Sequence, residues 1–504
     1  MVAKVTSVAL AGFEGSLVEV ETDMKQGLPG IQVVGMGNKA VDEARERVRS
    51  AITNSLLDFP PRKLTINLAP AELPKDGAHF DLPIAVSILV ASGQLRQTEV
   101  DGMVFAGELA LTGELRVIRG VINIAEAAQK AGFTTVYVPK TNQQQAALIE
   151  GISVIGVKNL KDLFLHLKGE IRLAPAMPPE STEVAPPSSP TFDDIHGQQQ
   201  AKRALLIATA GRHNILICGP PGAGKTMLAK AVLSILPPLS PIEQLAVTKI
   251  HSLAGEVESH VIARRPFRAP HHTTSAIAMI GGGGKPKPGE ISLAHLGVLF
   301  IDELPEYPRA TLEALRQPLE DKKISIARAN GRLTYPADFM LVATMNPCPC
   351  GYLGDPSKEC TCSSQQILNY QKRLSGPLLD RIDLVVNVSK VDSTTLLMLN
   401  TLQEKHHYTL VKTISYTIGV QRNRYKRDSI YNGSLSSQDL KKYAQLSPAA
   451  EQLLTTASAK LSLTARSYFK VIKVARTIAD LAQSRAVEPE HMSEALRYRV
   501  TPPS

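Results

Sequence analysis

The sequence has no apolar run long enough to cross a membrane. The longest, residues 82–92, is broken by Pro83 and falls well short of the ~20 residues that a spanning helix needs. A soluble protein is the expectation. An export signal is missing too: the first thirteen residues carry Lys4 as their one charge, show no cleavage site and lead into Glu14 and a strand-like alternation, which places the chain in the cytoplasm. Cysteine is scarce, five residues in all, and four of them crowd between 348 and 362. A disulfide framework is thereby excluded, and metal binding is the better reading there. No repeat recurs at a solenoid period. Acidic residues are the minority, 47 against 56 basic ones, and the net charge of +9 permits an anionic partner such as nucleic acid without requiring one. What is present is ordinary for a globular chain, 43% hydrophobic and 20% charged residues. At about 150 residues per domain, 504 residues make two to four domains, each long enough to bury a core.

The clearest boundary is 173–190, LAPAMPPESTEVAPPSSP, where proline, serine and glutamate replace any hydrophobic period; it reads as a linker. Before it, residues 1–172 alternate strand-like runs (17–20, 31–34, 64–68, 136–138) with helical ones (38–55, 83–92, 121–131), as an α/β or α+β domain does. After it, residues 191–390 begin with a helix over 201–210, a short apolar strand over 214–218, a glycine-rich turn and a helix over 225–236. Strand, glycine loop and helix in that order are nucleotide-binding punctuation. From 391 to 504 the periodicity is helical, strongest at 449–461, 465–484 and 489–497. The whole reads as an α/β multidomain protein with a helical C-terminal domain.

Gly219, Pro220, Pro221, Gly222, Ala223, Gly224, Lys225 and Thr226, followed by Met227, satisfy G-x-x-x-x-G-K-[ST] directly after a strand and at the start of a helix. Glycines let backbone N–H groups close around phosphate oxygens, and the helix N-terminus adds its dipole. Lys225 reaches the β and γ phosphates of ATP, and the Thr226 hydroxyl joins Mg2+. Residues 297–303, GVLFIDE, are an apolar run ending in two carboxylates, as a buried parallel strand delivering acids to a sheet's C-terminal edge would be. Asp302 is suited to hold Mg2+, and Glu303 to polarise the attacking water. A third strand, 339–344, leads to Asn346, a side chain suited to orient that water, although an asparagine before Pro347 is on its own a turn residue.

Cys348 and Cys350, then Cys360 and Cys362, make two C-x-C pairs across a short loop. Four thiolates so arranged fit tetrahedral Zn2+, which would fold a segment too small for a core. The one-residue spacing is shorter than the usual two, and free thiols in a loop or a redox pair are the alternatives. Cys218, before the phosphate loop, reads as core. Residues 322–335, KKISIARANGRLTY, are two short strands around Asn330-Gly331, the strongest short hairpin signal, with a type I′ turn expected and Arg328 and Arg332 flanking the tip. A second basic loop, GGGGKPKPG at 281–289, carries Lys285 and Lys287. Residues 264–272, RRPFRAPHH, favour nucleic-acid or structural duty over metal, since the adjacent His271 and His272 rarely converge on one ion. Residues 422–427, RNRYKR, are either a phosphate-contacting surface or a solvated helix face.

Those spacings, with GPLLDRID at 376–383 behind them, resemble the AAA+ ATPases of the magnesium-chelatase and MCM-helicase branch. The whole chain, from Phe13-Glu14-Gly15 to ARSY at 465–468, is similar to the ComM/YifB family of Mg chelatase-like proteins. PFRAPHHTTS at 266–275 and NPCPCG at 346–351 are its most specific marks. The resemblance implies a ring, expected to be a hexamer, with ATP between subunits. Arg381 then matches the arginine finger offered to the neighbour's nucleotide, Arg466 matches sensor 2, and Asp194, Ile195 and Gly197 of DIHG match the loop beside adenine. Read without the resemblance, Arg381 is an intrachain partner of Asp380 or Asp383. In the resembled helicases a hairpin before the sensor 1 strand enters the pore and touches DNA phosphates, so Arg328, Asn330 and Arg332 are candidate DNA contacts. Lys285 and Lys287 stand where such proteins carry a second pore insertion.

The first domain resembles the Lon protease domain, with its ribosomal-S5-like fold, on PKDGAHFD at 74–81 and AGELALTG at 106–113. His79 stands at the position of the nucleophilic serine and Ile124 at about that of its activating lysine, so covalent peptide cleavage has no mechanism. The resemblance implies an ATP-driven ring motor on single-stranded, forked or three-stranded DNA, a helicase promoting branch migration when strands are integrated during natural transformation, with recombination proteins as further partners. One rival is a magnesium-chelatase-like remodeller of a protein client; another, a Lon-like protease, lacks its nucleophile.

Overall fold

The computed structural model describes residues 2–34, 39–73, 75, 77–178, 190–257, 260–283, 287–328, 331–355, 358–391, 406–427 and 430–499. Most of the proline-rich stretch, Lys285 and Asn330 lie outside the described residues.

The N-terminal unit is built on a seven-stranded mixed sheet. Strands Ala3–Ala11 and Glu14–Lys25 form an antiparallel hairpin, and Val18, Val20 and Thr22 alternate inward along the second strand, as a half-buried strand requires. Gly30–Val34 and Lys63–Ala69 extend one side of the sheet; Met103–Phe105, Thr135–Pro139 and Ser153–Val157 extend the other in parallel. The 82–92 apolar run is the helix Asp81–Ala91, wedged between the hairpin and the helix Lys39–Asn54. Apolar on all sides, it is a core helix rather than a membrane one. Among the described residues no helix is long and apolar enough to cross a membrane.

The second unit has a five-stranded parallel sheet in the order Phe267–Arg268, Val298–Ile301, Met340–Met345, Ile215–Cys218 and Leu384–Asn387. Val298–Ile301 and Met340–Met345 are buried at every position, the continuous apolar reading of strands covered on both faces. The edge strand Phe267–Arg268 is absent from the sequence reading, because two residues among prolines carry no period. Helices Gln199–Gly211 and Lys225–Ile235 share one core with the C-terminal helices His407–Tyr425, Pro448–Leu461, Ala465–Leu481 and Pro489–Arg497. The helical domain is therefore a lid packed onto the five-stranded sheet, not a separate body.

The lid centres on the fully buried Arg476, which donates to Asp480 Oδ1 at 2.9 and 3.1 Å and to the carbonyls of Ala444, Ser484 and Arg485. Arg424 donates to both Asp480 oxygens, and Asn432 to one of them. The first and second units meet along the helix Pro241–Ala254. Lys249 pairs with Glu126 at 2.6 Å and lies over the Phe13 ring, and Ser252 Oγ accepts the Gly120 N–H.

Candidate functional site

The phosphate loop joins the strand Ile215–Cys218 to the helix Lys225–Ile235. Gly222 and Gly224 have φ of 78° and 80°, a region that other residues adopt only at a cost, and nothing within 4 Å would meet a Cβ at either. The loop is thus an open backbone cradle. Gly219 is needed for space, because its Cβ would lie 2.4 Å from the Val388 carbonyl oxygen. Lys225 Nζ donates to the carbonyls of Gly219 and Pro220, at 2.7 and 3.0 Å, and to Asn346 Oδ1 at 2.9 Å. Burial pulls its ammonium below the ordinary lysine value, against the pull of Cys218, Asp302 and Glu303.

Asp302 and Glu303 stand at the C-terminal end of Val298–Ile301, next to the strand that leads to Asn346. Thr226 Oγ1 donates to Asp302 Oδ2 at 3.2 Å. Thr344, fully buried on the neighbouring strand, donates from Oγ1 to Asp302 Oδ1 at 2.5 Å and accepts the Glu303 N–H at 3.1 Å. One hydroxyl therefore orients both acids. The sequence reading missed Thr344; its signal was a lone polar residue in an apolar central strand. Glu303 has φ of 53°, a left-handed conformation that costs a non-glycine residue roughly 1–3 kcal/mol. Thr344 and the Glu306 N–H, which reaches the Glu303 carbonyl at 2.8 Å, hold it there.

This donor set fits magnesium and a triphosphate. A hydroxyl and a carboxylate 3.2 Å apart are the hard oxygen ligands that Mg2+ selects, and the open loop ends in a lysine and a helix N-terminus. When bound, Mg2+ would neutralise developing phosphate charge; Thr226 and Asp302 would hold it, and Lys225 would face the phosphates. Glu303, turned out of the strand by its backbone, makes none of the side-chain contacts that occupy Asp302 among the described residues.

Arg381 and Arg466 are brought together but not to Lys225: both reach the Glu320 carboxylate, Arg466 at 3.5 Å. The partner of Arg381 is thus Glu320 rather than Asp380 or Asp383, while Asp383 accepts the Asn214 N–H at 3.0 Å. Arg381 also donates to the Pro377 carbonyl at 2.6 Å, and its Nε is buried without a partner among the described residues. In the DIHG loop, Asp194 caps its own turn through Thr191, Ile195 is core, and Gly197 has φ of 63° beneath Val391. Asp194 is therefore committed to the loop's shape. Met227 is exposed on the helix.

The hairpin Lys323–Arg328 and Gly331–Pro336 forms as expected, but Arg328 pairs with Gly331, so Gly331 lies in the ladder rather than at the centre of the turn. Register is set by its apolar side, where Ile324 meets Tyr335 and Ile326 meets Leu333. The Arg332 backbone lies in the same ladder. Lys287, exposed, pairs with Gly282 in a second small ladder. Two basic stretches are structural in part, while Lys426 and Arg427 are exposed. Arg265 is buried against Glu243 and Arg268 is paired with Glu290 and Glu256, while of RNRYKR Tyr425 is core and the half-buried Arg424 pairs with the buried Asp480.

The four cysteine sulfurs lie within 4.8 Å of one another. In the N-terminal unit His79 is buried, with Nε2 2.9 Å from the Val8 carbonyl oxygen, and Ile124 is core. Burial lowers the His79 pKa to about 4, so a neutral imidazole fills the serine's position. Lys75 is buried and donates to the Pro70 carbonyl; Asp76 lies outside the described residues.

Three family models match the chain: "Magnesium chelatase, subunit ChlI" over residues 191–396, "Subunit ChlI of Mg-chelatase" over 20–142, and "Magnesium chelatase, subunit ChlI C-terminal" over 408–499. The chain is 42% identical to the competence protein ComM of Haemophilus influenzae, over 99% of its length and 97% of that protein's. It is 41% identical to the uncharacterised protein YifB of Escherichia coli, over 97% of the chain and 96% of that protein. A partial likeness, 32% over 159 residues, joins 30% of this chain to 28% of Lon protease 2 of Bacillus subtilis. The nucleotide-site geometry and the full-length identity lead to one conclusion: the chain belongs to the ComM/YifB family of Mg chelatase-like AAA+ proteins.

Proposed function

We propose that the chain is a Mg2+-dependent ATPase that assembles as a hexameric ring and drives DNA strands through its pore, promoting branch migration during homologous recombination and natural transformation. The observation that carries this is the four-residue assembly of Lys225, Asn346, Thr226 and Asp302 at the end of one parallel sheet. The full-length likeness to a competence protein supplies the direction of the reading. In it Glu303 activates water, Asn346 orients it, and Arg381 and Arg466 complete the neighbouring subunit's nucleotide site. The hairpin with Arg328, Asn330 and Arg332 and the loop with Lys285 and Lys287 contact backbone phosphate, which gives affinity without sequence preference. Residues 1–172 form the Lon-like unit, proteolytically inert, 173–190 the linker, 191–390 the ATPase and 391–504 the lid. ATP and Mg2+ serve the motor, Zn2+ sits at the four cysteines, and the protein works in the cytoplasm.

The test is ATP hydrolysis by the purified chain with and without single-stranded or forked DNA, beside Glu303→Gln. DNA stimulation that the variant abolishes supports the motor, and Arg328→Ala and Arg332→Ala should each lower the salt slope of DNA binding by about 1. A second reading, a remodeller of a protein client, is favoured by the three magnesium-chelatase matches. It prevails if DNA neither binds at low salt nor changes the rate.

A further inference from the structure

The cysteine loop is not an appendage of the ATPase; it touches the phosphate site at two points. Cys348 is two residues beyond Asn346, the side chain that receives Lys225 Nζ. Gly351, the residue after Cys350, has φ of 86°, and a Cβ on it would stand 2.7 Å from Pro221 Cδ of the phosphate loop. Beyond Cys362 the chain enters the helix Ser364–Gln371 through a Ser363 cap, and Arg373 pairs with Glu306 at 3.1 Å, three residues from Glu303. The loop thus begins at one nucleotide-site residue and returns beside another.

Apart from the Lys390–Asp355 ion pair at 2.7 Å and the Lys358 and Lys390 ammonium groups over the Tyr352 ring, this loop has little apolar packing to hold its shape. Among the described residues from 346 to 369, Cys348 is the only buried apolar side chain. The sulfur separations are 3.4 Å for Cys348–Cys350, 3.7 Å for Cys348–Cys360 and 3.6 Å for Cys350–Cys360, and Cys362 Sγ accepts the Cys350 N–H at 3.4 Å. A regular tetrahedron with Zn–S bonds of about 2.3 Å has edges of about 3.8 Å, whereas a disulfide would need about 2.05 Å. The set closes all four positions with protein, which excludes a bound water and a hydrolytic role.

We propose that one Zn2+, bound by Cys348, Cys350, Cys360 and Cys362, acts as a positioning ion for ATP hydrolysis: it fixes the 348–362 loop against Pro221 and thereby sets Asn346 and Lys225 at the phosphates. Each thiol gives its proton to solvent on binding, so the site is S4 with Zn2+ and carries no redox step. The inference rests on the reading of the chain as an ATPase, and its experiment separates the two.

Zinc in the purified full-length chain is measured by mass spectrometry, and Co2+ substituted for it is read by thiolate-to-metal charge-transfer absorption. The expected result is one zinc per chain, absent when Cys360→Ser and Cys362→Ser are combined. That double variant should bind ADP within about threefold of the parent but hydrolyse ATP at least about tenfold more slowly. Gly351→Ala keeps all four thiols and pushes a methyl group onto Pro221; it should retain zinc and still lose turnover. Chelated wild-type chain should regain its rate on adding back zinc alone. A chain without zinc, or with zinc whose removal leaves kcat unchanged, overturns the proposal. Zinc-loaded chain with no Glu303-dependent hydrolysis overturns the ATPase reading itself, with the stoichiometry left to report on the metal.

Discussion

Arg381 and Arg466 come from different domains and share one carboxylate, that of Glu320. Two guanidinium groups held by a single acid are partly satisfied, and Arg381 still has a buried Nε without a partner among the described residues. A phosphate from a neighbouring subunit would compete well for them. Arg381→Ala should lower kcat by about 10³-fold with nucleotide affinity retained, the range of a lost arginine finger. Glu320→Gln should leave steady-state hydrolysis undiminished. A loss in Glu320→Gln as deep as that of Arg381→Ala would falsify the competition and make Glu320 part of the site.

Thr344 offers a sharper test of the acids. Its hydroxyl fixes Asp302 and the Glu303 backbone together, so Thr344→Val removes both contacts at nearly constant volume. Turnover should fall about tenfold, which is ~1.4 kcal/mol and near the lower end of what a hydrogen bond to a charged group contributes. Thr344→Ser, which keeps the hydroxyl, should recover most of it. Equal loss in both variants would point to packing rather than orientation.

The lid depends on one buried acid. Asp480→Ala leaves Arg476 and Arg424 without their shared partner, and a buried charge stripped of its counterion costs about 3–5 kcal/mol. The melting transition of the purified chain should drop accordingly. Because the lid and the phosphate-loop helices share a core, nucleotide binding should be lost with it rather than after it.

Acid should destabilise the chain below pH 6.5. Burial lowers His79 and His295 to about 4, beneath the ordinary 6.5, so between those values the unfolded chain binds protons that the folded chain does not. Stability from these groups is complete above 6.5 and is lost as pH falls toward 4, at up to about 1.4 kcal/mol per pH unit for each. Asp81, raised to about 6 by burial against the pull of Arg47, works in the opposite direction. Comparison with His79→Gln isolates the histidine: the variant's denaturation midpoint should depend less on pH between 6.5 and 4. An unchanged slope would show that His79 takes up its proton in the fold over the same pH range as in the unfolded chain.

Local patterns carry their meaning in the chain itself, and there the sequence was sufficient. A phosphate loop needs φ > 0 at fixed steps and a lysine at the next helix, and both are written in eight consecutive residues. An apolar run ending in Asp302-Glu303 announces a buried strand, because the physics of burial acts on neighbouring residues. Relationships between distant segments were decided only on folding. The edge strand Phe267–Arg268 exists because Val298–Ile301 offers it a partner. Arg424 became the partner of a buried acid because Asp480 waits on another helix, and Arg381 chose Glu320 over the aspartates beside it because the fold brought the more distant acid within reach. The four cysteines are legible as pairs from their spacing, yet their meeting in one cluster against Pro221 is a matter of how the loop returns to the sheet. Sequence thus determined which chemistry the chain carries. The tertiary structure decided which charges remain available to use it, since pairing energy depends on distance and burial rather than on order along the chain.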